Sequence, residues 1–407
     1  METTLPMIDE IEQISAPVTC RACGGAQAKI FFELPSVPVN SITLWASYEE
    51  AVRCPAGAIE LTFCSHCGAI YNQAFNRSAL TYDSRYDNSL HYSQAFQRYA
   101  EELADQLIAR FDLHGKDVIE VGCGKGDFLA LLCQRGGNRG LGFDPTYEHD
   151  RVDTSAGQGF GVTRDFYSQA YAEQPADFVC CRHVLEHISD PRPFLSDIRR
   201  GISHRTNCGV FFEVPNASFT LYRMGIWDII YEHCFYYTAP SLQHLFTLSG
   251  FDVLNMYEAF GGQYLCLEAK PAVDACNAAA SESGQEMVAL SSAVDAFAER
   301  YQQQIADWRH TLGILRDAGK RVALWGAGAK GATFLNALRD VSGVEYIVDV
   351  NPHKHGRFVP GTGQKVVAPE FLREYQPDLI VITNPNYETE IRRAVAKLDL
   401  TPEFRLV

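Results

Sequence analysis

At roughly 150 residues per domain, a chain of 407 residues has room for about three domains. Hydrophobic residues make up 46% and charged ones 21%, a globular balance, while 35 Lys and Arg against 50 Asp and Glu leave a net charge of -15. That charge excludes nonspecific nucleic-acid binding, which needs basic surface. No apolar run approaches the ~20 residues that cross a bilayer. METTLPMIDEIEQIS carries acids where a signal peptide carries a basic start, so a cytoplasmic protein without a membrane partner is expected.

Thirteen cysteines are an odd number, and Cys123, Cys133, Cys180, Cys181 and Cys266 sit inside apolar segments. They read as buried reduced thiols acting as small hydrophobes. Four others break this pattern. Cys20 and Cys23 form C-R-A-C before Gly24-Gly25, and Cys64 and Cys67 form C-S-H-C before Gly68. Two such knuckles, each presenting two thiolates from a tight turn, predict a structural Zn2+ site. A redox dithiol is the alternative, but it calls for one C-x-x-C at a helix start. Cys54 and His66 are near enough in sequence to be spare ligands. A segment as small as residues 1–85 has little core of its own, and a metal would supply folding energy.

Asp117–Leu132 reads DVIEVGCGKGDFLALL, a buried strand, a glycine turn and an amphipathic helix. Glu120 precedes the turn of Gly122, Gly124 and Gly126. A second strand, GLGFD, ends in Asp144, placed to accept hydrogen bonds from a ribose diol. A third element ends in Asp165-Phe166, an acid and an aromatic that could bracket an adenine. A fourth, DFVCCRHVLEHI, leads into a helix near Asp190-Pro191. Together these resemble class I S-adenosylmethionine methyltransferases. An NAD-binding turn would read G-x-G-x-x-G, and here Gly126 falls one place too early. The resemblance implies that Gly122, Gly124 and Gly126 pass the methionine moiety, that Asp144 holds the ribose, and that Asp165 and Phe166 hold the adenine. His183 and His187, four apart, would share a helix face, either as metal ligands or, more simply, lining the cofactor pocket or packing.

FFEVPN reads as a strand, and YEHCFYY as a loop or short strand at the substrate edge of the sheet. The helix Ser241–Gly250 and the strand Phe251–Leu254 follow. His233 beside Glu232, with tyrosines at 231, 236 and 237, can supply a general base, its orienter and hydrogen-bond donors. A satisfied structural pair is the plainer reading. The succession of a four-cysteine module, a methyltransferase core with an E-H motif and a second Rossmann-like domain resembles the sugar C-methyltransferases of bacterial deoxysugar biosynthesis. That resemblance implies His233 as base, Glu232 as its assistant and a tyrosine of LTYDSRYDNSLHYS, Tyr86 or Tyr82, reaching the same site. Tyr86 is preferred because D-N-S follows it. Two features depart from the family: Tyr231 abuts Glu232 where the family has Tyr-x-Glu-His, leaving Ile230 in the tyrosine's place, and LPSVPVNSITLWASYEEA is longer than usual.

Residues 274–319 carry an apolar stripe, Leu290, Val294, Phe297, Tyr301, Ile305, Trp308, Leu312 and Leu315, which predicts one long amphipathic helix packed within the chain. RVALWGAGAKGATFLNAL then gives a strand, Gly326-x-Gly328-x-x-Gly331 and a helix, and EYIVDVNP ends in Asp349. This unit of ~90 residues is expected to be a single half-fold. NAD is one reading, although no catalytic Tyr-Lys pair or Cys/His arrangement follows. By the resemblance the unit helps hold a nucleotide-sugar, with Lys330, His353, Lys354 and His355 near its phosphates; a vestigial fold is a further reading.

The expected protein is therefore α/β: a four-cysteine zinc module over 1–85, a class I methyltransferase Rossmann-like core over 86–273, a helical linker over 274–319 and a Rossmann-like domain over 320–407. It would be a monomer or homodimer that uses S-adenosylmethionine and structural zinc to methylate carbon on a nucleotide-linked keto-deoxysugar or another small carbonyl compound. His233 would act as base, assisted by Glu232, with Tyr86 or Tyr231 bonding the enolate oxygen. An O- or N-methyltransferase, a dehydrogenase using the second glycine turn and a non-catalytic scaffold are the rivals.

Overall fold

The computed structural model describes residues 19–80, 90–147, 159–273, 284–341 and 343–407. Tyr82 and Tyr86 lie outside them. The N-terminal strands β1 (Ala28–Pro38), β2 (Ala56–Cys64) and β3 (Ile70–Asn72) run antiparallel, with Ala28 opposite Cys64 and Phe63 opposite Ile70. Both knuckles are tight turns closed by a backbone bond, from Gly24 N to the Cys20 carbonyl and from Gly68 N to the Cys64 carbonyl, each 2.9 Å.

Seven strands build the central sheet: β4 (Asp117–Val121), β5 (Arg139–Phe143), β6 (Phe160–Thr163), β7 (Phe178–Arg182), β8 (Gly209–Pro215), β10 (Phe251–Ala259) and β11 (Tyr264–Pro271). Between β8 and β10 in sequence lies the two-residue β9 (Phe235–Tyr236). The sheet order is β6-β5-β4-β7-β8-β11-β10, and β11 runs antiparallel to both neighbours. This is the class I methyltransferase arrangement that the glycine turn led us to expect. β7 is buried throughout, as continuous apolar strands in a helix-covered parallel sheet are, and so Cys180 and Cys181 are core residues. One face is covered by the helices Gln94–Phe111 and Asp127–Gly136, whose Leu103, Leu107, Phe128 and Leu132 meet Val118, Phe178 and Phe211.

β9 leaves this sheet. It joins the N-terminal one, pairing antiparallel with β3, Tyr236 opposite Ile70 and Phe235 opposite Tyr71. The segment just before it, which carries Glu232 and His233, is therefore held by the cysteine module.

The stripe from Leu290 to Leu312 is buried within the chain, as expected. It is carried by two helices, not one: Gly284–Asp295 and Phe297–Asp317 are separated at Ala296. At the break Phe297 packs edge-on against Phe31 and Phe32, at 6.0 and 5.2 Å between ring centroids. The C-terminal unit is larger than a half-fold. β12 (Val322–Trp325), β13 (Val344–Val348), β14 (Lys365–Val367), β15 (Leu379–Ile382) and β16 (Glu403–Leu406) form one parallel sheet, ordered β14-β13-β12-β15-β16. The order reverses between β12 and β15, and a ligand crevice opens at such a switch point.

Polar clamps hold this unit to the core. Glu390 accepts from Ser93 Oγ and Ala95 N, both at 2.9 Å, and so caps the helix Gln94–Phe111. Gln263 and Asn384 exchange amide hydrogen bonds of 2.7 and 3.0 Å. Among the described residues no helix is long and apolar enough to cross a membrane.

Replacing Phe297 with Ala empties a fully buried site shared by β1 and the long helices. Stability should fall by about 3–5 kcal/mol in denaturant unfolding, and a loss under 1 kcal/mol would mean that the contact is dispensable.

Candidate active site and metal centre

The four knuckle cysteines converge. Their sulfurs lie within 4.8 Å of one another, with Cys20 to Cys67 at 3.7 Å and Cys23 to Cys64 at 3.8 Å. A tetrahedral zinc with bonds of about 2.3 Å to sulfur spaces its ligands by about 3.8 Å, so the donor set fits that ion. Hydrogen bonding among the thiols pushes Cys64 down and Cys20 and Cys67 up, the behaviour of groups that cannot all ionise without a cation between them. Neither spare ligand joins. His66 faces the His244 ring at 5.9 Å, and Cys54 lies beside the Gly361 backbone.

The first glycine turn is built by close approach. A Cβ on Gly122, whose φ is +72°, would sit 2.1 Å from Val184 Cγ2, whereas one on Gly124 would meet nothing within 4 Å. Gly124 thus borders open space, as a cradle for a cofactor requires. Glu120 is buried beneath it with Oε2 unpartnered. Burial raises its carboxyl to about 8, against the pull of Arg182. An orphaned acid suits the ammonium of a methionine moiety. Asp144 accepts from Gly124 N at 2.9 Å and from Thr146 N at 2.8 Å. Asp165 accepts from Phe166 N and from the Tyr171 hydroxyl, at 2.8 and 2.6 Å, and the Phe166 ring is exposed beside Arg77. The structure thus brings Asp144 and Asp165 to one edge, both strands ending against the Thr163 carbonyl.

His183 and His187 share no helix. His183 has φ +55° and His187 closes a 3-10 turn, Leu185–His187, yet both line one cleft. His183 lies 2.8 Å from the Glu213 carboxylate and 3.7 Å from that of Glu186. Burial disfavours its charge, but the two acids outweigh that and raise its pKa to about 9. Glu213 is the hub here: it also takes Arg182 at 2.8 Å and the Tyr99 hydroxyl. Its own pKa falls to about 2, because these partners overcome its burial.

The E-H motif is pinned from both sides. Cys234 N donates to the Glu186 carbonyl at 2.9 Å, and Asn72 N donates to the Cys234 carbonyl at 3.0 Å. His233 is buried, with Nδ1 unpartnered. Burial and the neighbouring His187, Lys330 and His183 push its pKa well below the ordinary value, so the ring is a neutral proton acceptor at pH 7. Glu232 is not the orienter that the sequence suggested. Its Oε1 accepts from Ser41 N and Ser41 Oγ at 2.5 and 2.9 Å, and burial raises it to about 7 against those bonds. Its carbonyl instead meets His187 Nδ1 at 2.9 Å. Tyr231 also turns away, its hydroxyl accepting from Asn76 N at 2.9 Å and its ring lying on Phe75. Tyr92, in the same segment as Tyr86, lines the cleft.

What the sequence reading missed is Glu186. It sits with His187 and His233, one donor atom of each within 4.8 Å of the others. A signal was present, since E-H recurs in the sequence at Glu148-His149, Glu186-His187 and Glu232-His233, and the fold lays the last two side by side.

The cleft is shared between domains: His183, His187 and His233 line one side, and Gly326, Gly328, Lys330 and Asp349 line the other. Asp349 repeats the Asp144 pattern, accepting from Ala327 N and Asn351 N, both at 2.8 Å. A Cβ on Gly331 would lie 2.1 Å from the Gly326 carbonyl, which fixes helix against strand. Lys330 crosses the cleft to pair with Asp228, just ahead of the E-H motif. Lys354 donates to the Ala327 carbonyl at 3.0 Å, His355 meets the Asp349 carbonyl at 2.8 Å, and His353 packs by Tyr92.

Comparison with known proteins agrees with this geometry. The family described as "Methyltransferase domain" matches residues 95–255, and "C-methyltransferase C-terminal domain" matches residues 265–400. The chain is an S-adenosylmethionine-dependent methyltransferase. More particularly, its residues 265–400 are similar to the C-methyltransferase C-terminal domain, and C-methylation is the reaction class these matches support. It is 26% identical to "C-methyltransferase NovU" of Streptomyces niveus over 312 residues, 72% of each chain. It is 36% identical to "Ubiquinone biosynthesis O-methyltransferase" of Xylella fastidiosa over 93 residues, 21% of this chain and 37% of that protein. Among solved structures, magnesium protoporphyrin IX methyltransferase of Synechocystis PCC 6803, with bound SAH, gives a TM-score of 0.31 at 17% identity, covering 44% of this chain and 84% of that one. A Burkholderia thailandensis 1,6-didemethyltoxoflavin-N1-methyltransferase gives 0.34 at 15% identity, covering 50% and 96%.

Two measurements follow from the site. Cys67→Ser should lower methyl transfer by about 100-fold while the purified variant still binds S-adenosylmethionine, because the defect reaches His233 through β3 and β9; unchanged turnover would separate the metal from the base. Lys330→Met removes a cation that holds His233 neutral, so the acid limb of the kcat/KM profile should move to higher pH. An unmoved limb would mean that another group sets it.

Proposed function

We propose that this methyltransferase acts on carbon alpha to a ketone in a nucleotide-linked deoxysugar, with zinc in the four-cysteine site. The observation that carries the reading is the shared cleft: a neutral buried imidazole faces a glycine turn and a lysine that suit phosphate. A nucleotide diphosphate would lie against the turn Gly326–Gly331 and Lys330, which would place the sugar over His233. S-adenosylmethionine supplies the electrophilic methyl group, with Glu120, Gly122, Gly124, Gly126, Asp144, Asp165 and Phe166 holding it.

His233 takes the proton from the carbon next to the carbonyl, its lowered pKa keeping the ring neutral and able to accept at pH 7. Negative charge then develops on the carbonyl oxygen, in a cleft that contains Lys330 and the cationic His183. Tyr86 is assigned the hydrogen bond to that oxygen by family resemblance. Glu232 positions the site without touching the proton: its carboxylate anchors the Ser41 loop and its carbonyl sets the His187 ring.

The test is labelled methyl transfer to a panel of nucleotide keto-sugars, with the labelled carbon located by NMR. A carbon-bound methyl, lost by 100-fold or more in His233→Gln, is the expected result. A methyl on oxygen or nitrogen, or full activity in that variant, would overturn the enolate reading.

A further inference from the structure

His187 has neighbours in the fold that are not apparent in the sequence. Glu186 and His233 stand beside it on the wall of the cleft, and one donor atom from each of the three lies within 4.8 Å of the other two. Glu186 and His233 are each more than nine-tenths buried, and Glu186 Oε2 and His233 Nδ1 have no hydrogen-bond partner. Leaving such atoms bare in a folded interior is costly, so they mark a place where something else binds. His187 is arranged as metal-ligating imidazoles usually are. Its Nδ1 meets a backbone carbonyl, which can only accept, so Nδ1 carries the hydrogen and the lone pair falls on Nε2.

Lys330 is paired with Asp228, and His183 lies 2.8 Å from Glu213 and 3.7 Å from Glu186 Oε1, which still leaves Glu186 Oε2 without a hydrogen-bond partner. Two imidazoles and one carboxylate make a borderline donor set with positions left open toward the cleft, and such a set suits late first-row divalent ions better than Mg2+ or Ca2+.

We propose that Glu186, His187 and His233 form a second metal site, distinct from the four-cysteine site, that takes a divalent ion of the Co2+, Ni2+ or Zn2+ class at the wall of the substrate cleft. If His233 is the base, a reading this consequence rests on, an ion on its ring nitrogen occupies the lone pair that must take the proton. Metal binding and methyl transfer are then mutually exclusive, and free divalent ion is a reversible inhibitor.

The test is a Co2+ titration of the zinc-loaded full-length protein. One additional equivalent should bind, with the weak visible bands of nitrogen and oxygen ligation and without the intense sulfur-to-cobalt absorption of a cysteine site. Glu186→Gln and His187→Gln should each weaken that equivalent by at least 10-fold while keeping the cysteine-bound zinc, which shows that the variant is folded. Absence of an additional equivalent, or one unchanged in both variants and therefore adventitious, would overturn the site. Inhibition is read separately: half-loss of methyl transfer at the Co2+ concentration that half-fills the site supports both readings. Binding at full activity would leave the site standing and remove His233 as the base.

Discussion

Two backbone hydrogen bonds at Cys234 set the reactive centre. Its N–H is given to the Glu186 carbonyl and its carbonyl receives the N–H of Asn72, which strings the E-H segment between the fourth strand of the methyltransferase sheet and the cysteine module. Pairing of β9 with β3 continues that tether for two residues. A loop that began on the sheet edge alone would be free to move by ångströms, and proton abstraction from carbon does not tolerate that. The four sulfurs stand at the far end of the same hairpin. The four-cysteine cluster is therefore coupled through this hairpin to the segment that carries His233, and its sulfurs are not among the groups that line the cleft.

The module does not stand apart from the rest of the chain. Cys20, Cys64, Cys67 and Tyr71 are buried in one cluster with Val179, Phe212 and Phe246 of the methyltransferase core. On its other face Phe32 and Phe63 share a cluster with the long helices and with Phe334 and Leu335 of the C-terminal unit. The same architecture puts the second glycine turn opposite His233, with Glu390, the Gln263–Asn384 pair and the Trp45–Phe358 bridge fixing the distance across the cleft. The two Rossmann-like units use one local device, an aspartate after the second strand that accepts from the glycine turn and from the residue two places on.

The electrostatics of the cleft divide its histidines by role. His183, wedged between Glu213 and Glu186, is held as a cation, while His233, buried and with His187, Lys330 and His183 around it, is held neutral. Residues of the same type fifty positions apart thus have opposite charge states: burial favours the neutral ring at both, and only at His183 do two acids overcome it.

Local chemistry in the sequence was enough to predict the cysteine knuckles, both glycine turns with their acids, the E-H motif and the apolar stripe of the linker. Each of these is a short-range pattern whose spacing is set by a turn, a strand end or a helix face. What the sequence could not determine depends on distant segments meeting: that Glu232 reaches Ser41 and not His233, that Tyr231 faces Asn76, that Glu186 joins the two histidines, and that the C-terminal unit has a fourth and a fifth strand beyond a half-fold. The direction in which a side chain leaves an irregular loop has no periodicity to read. Only the packing of three sheets around one cleft decides it.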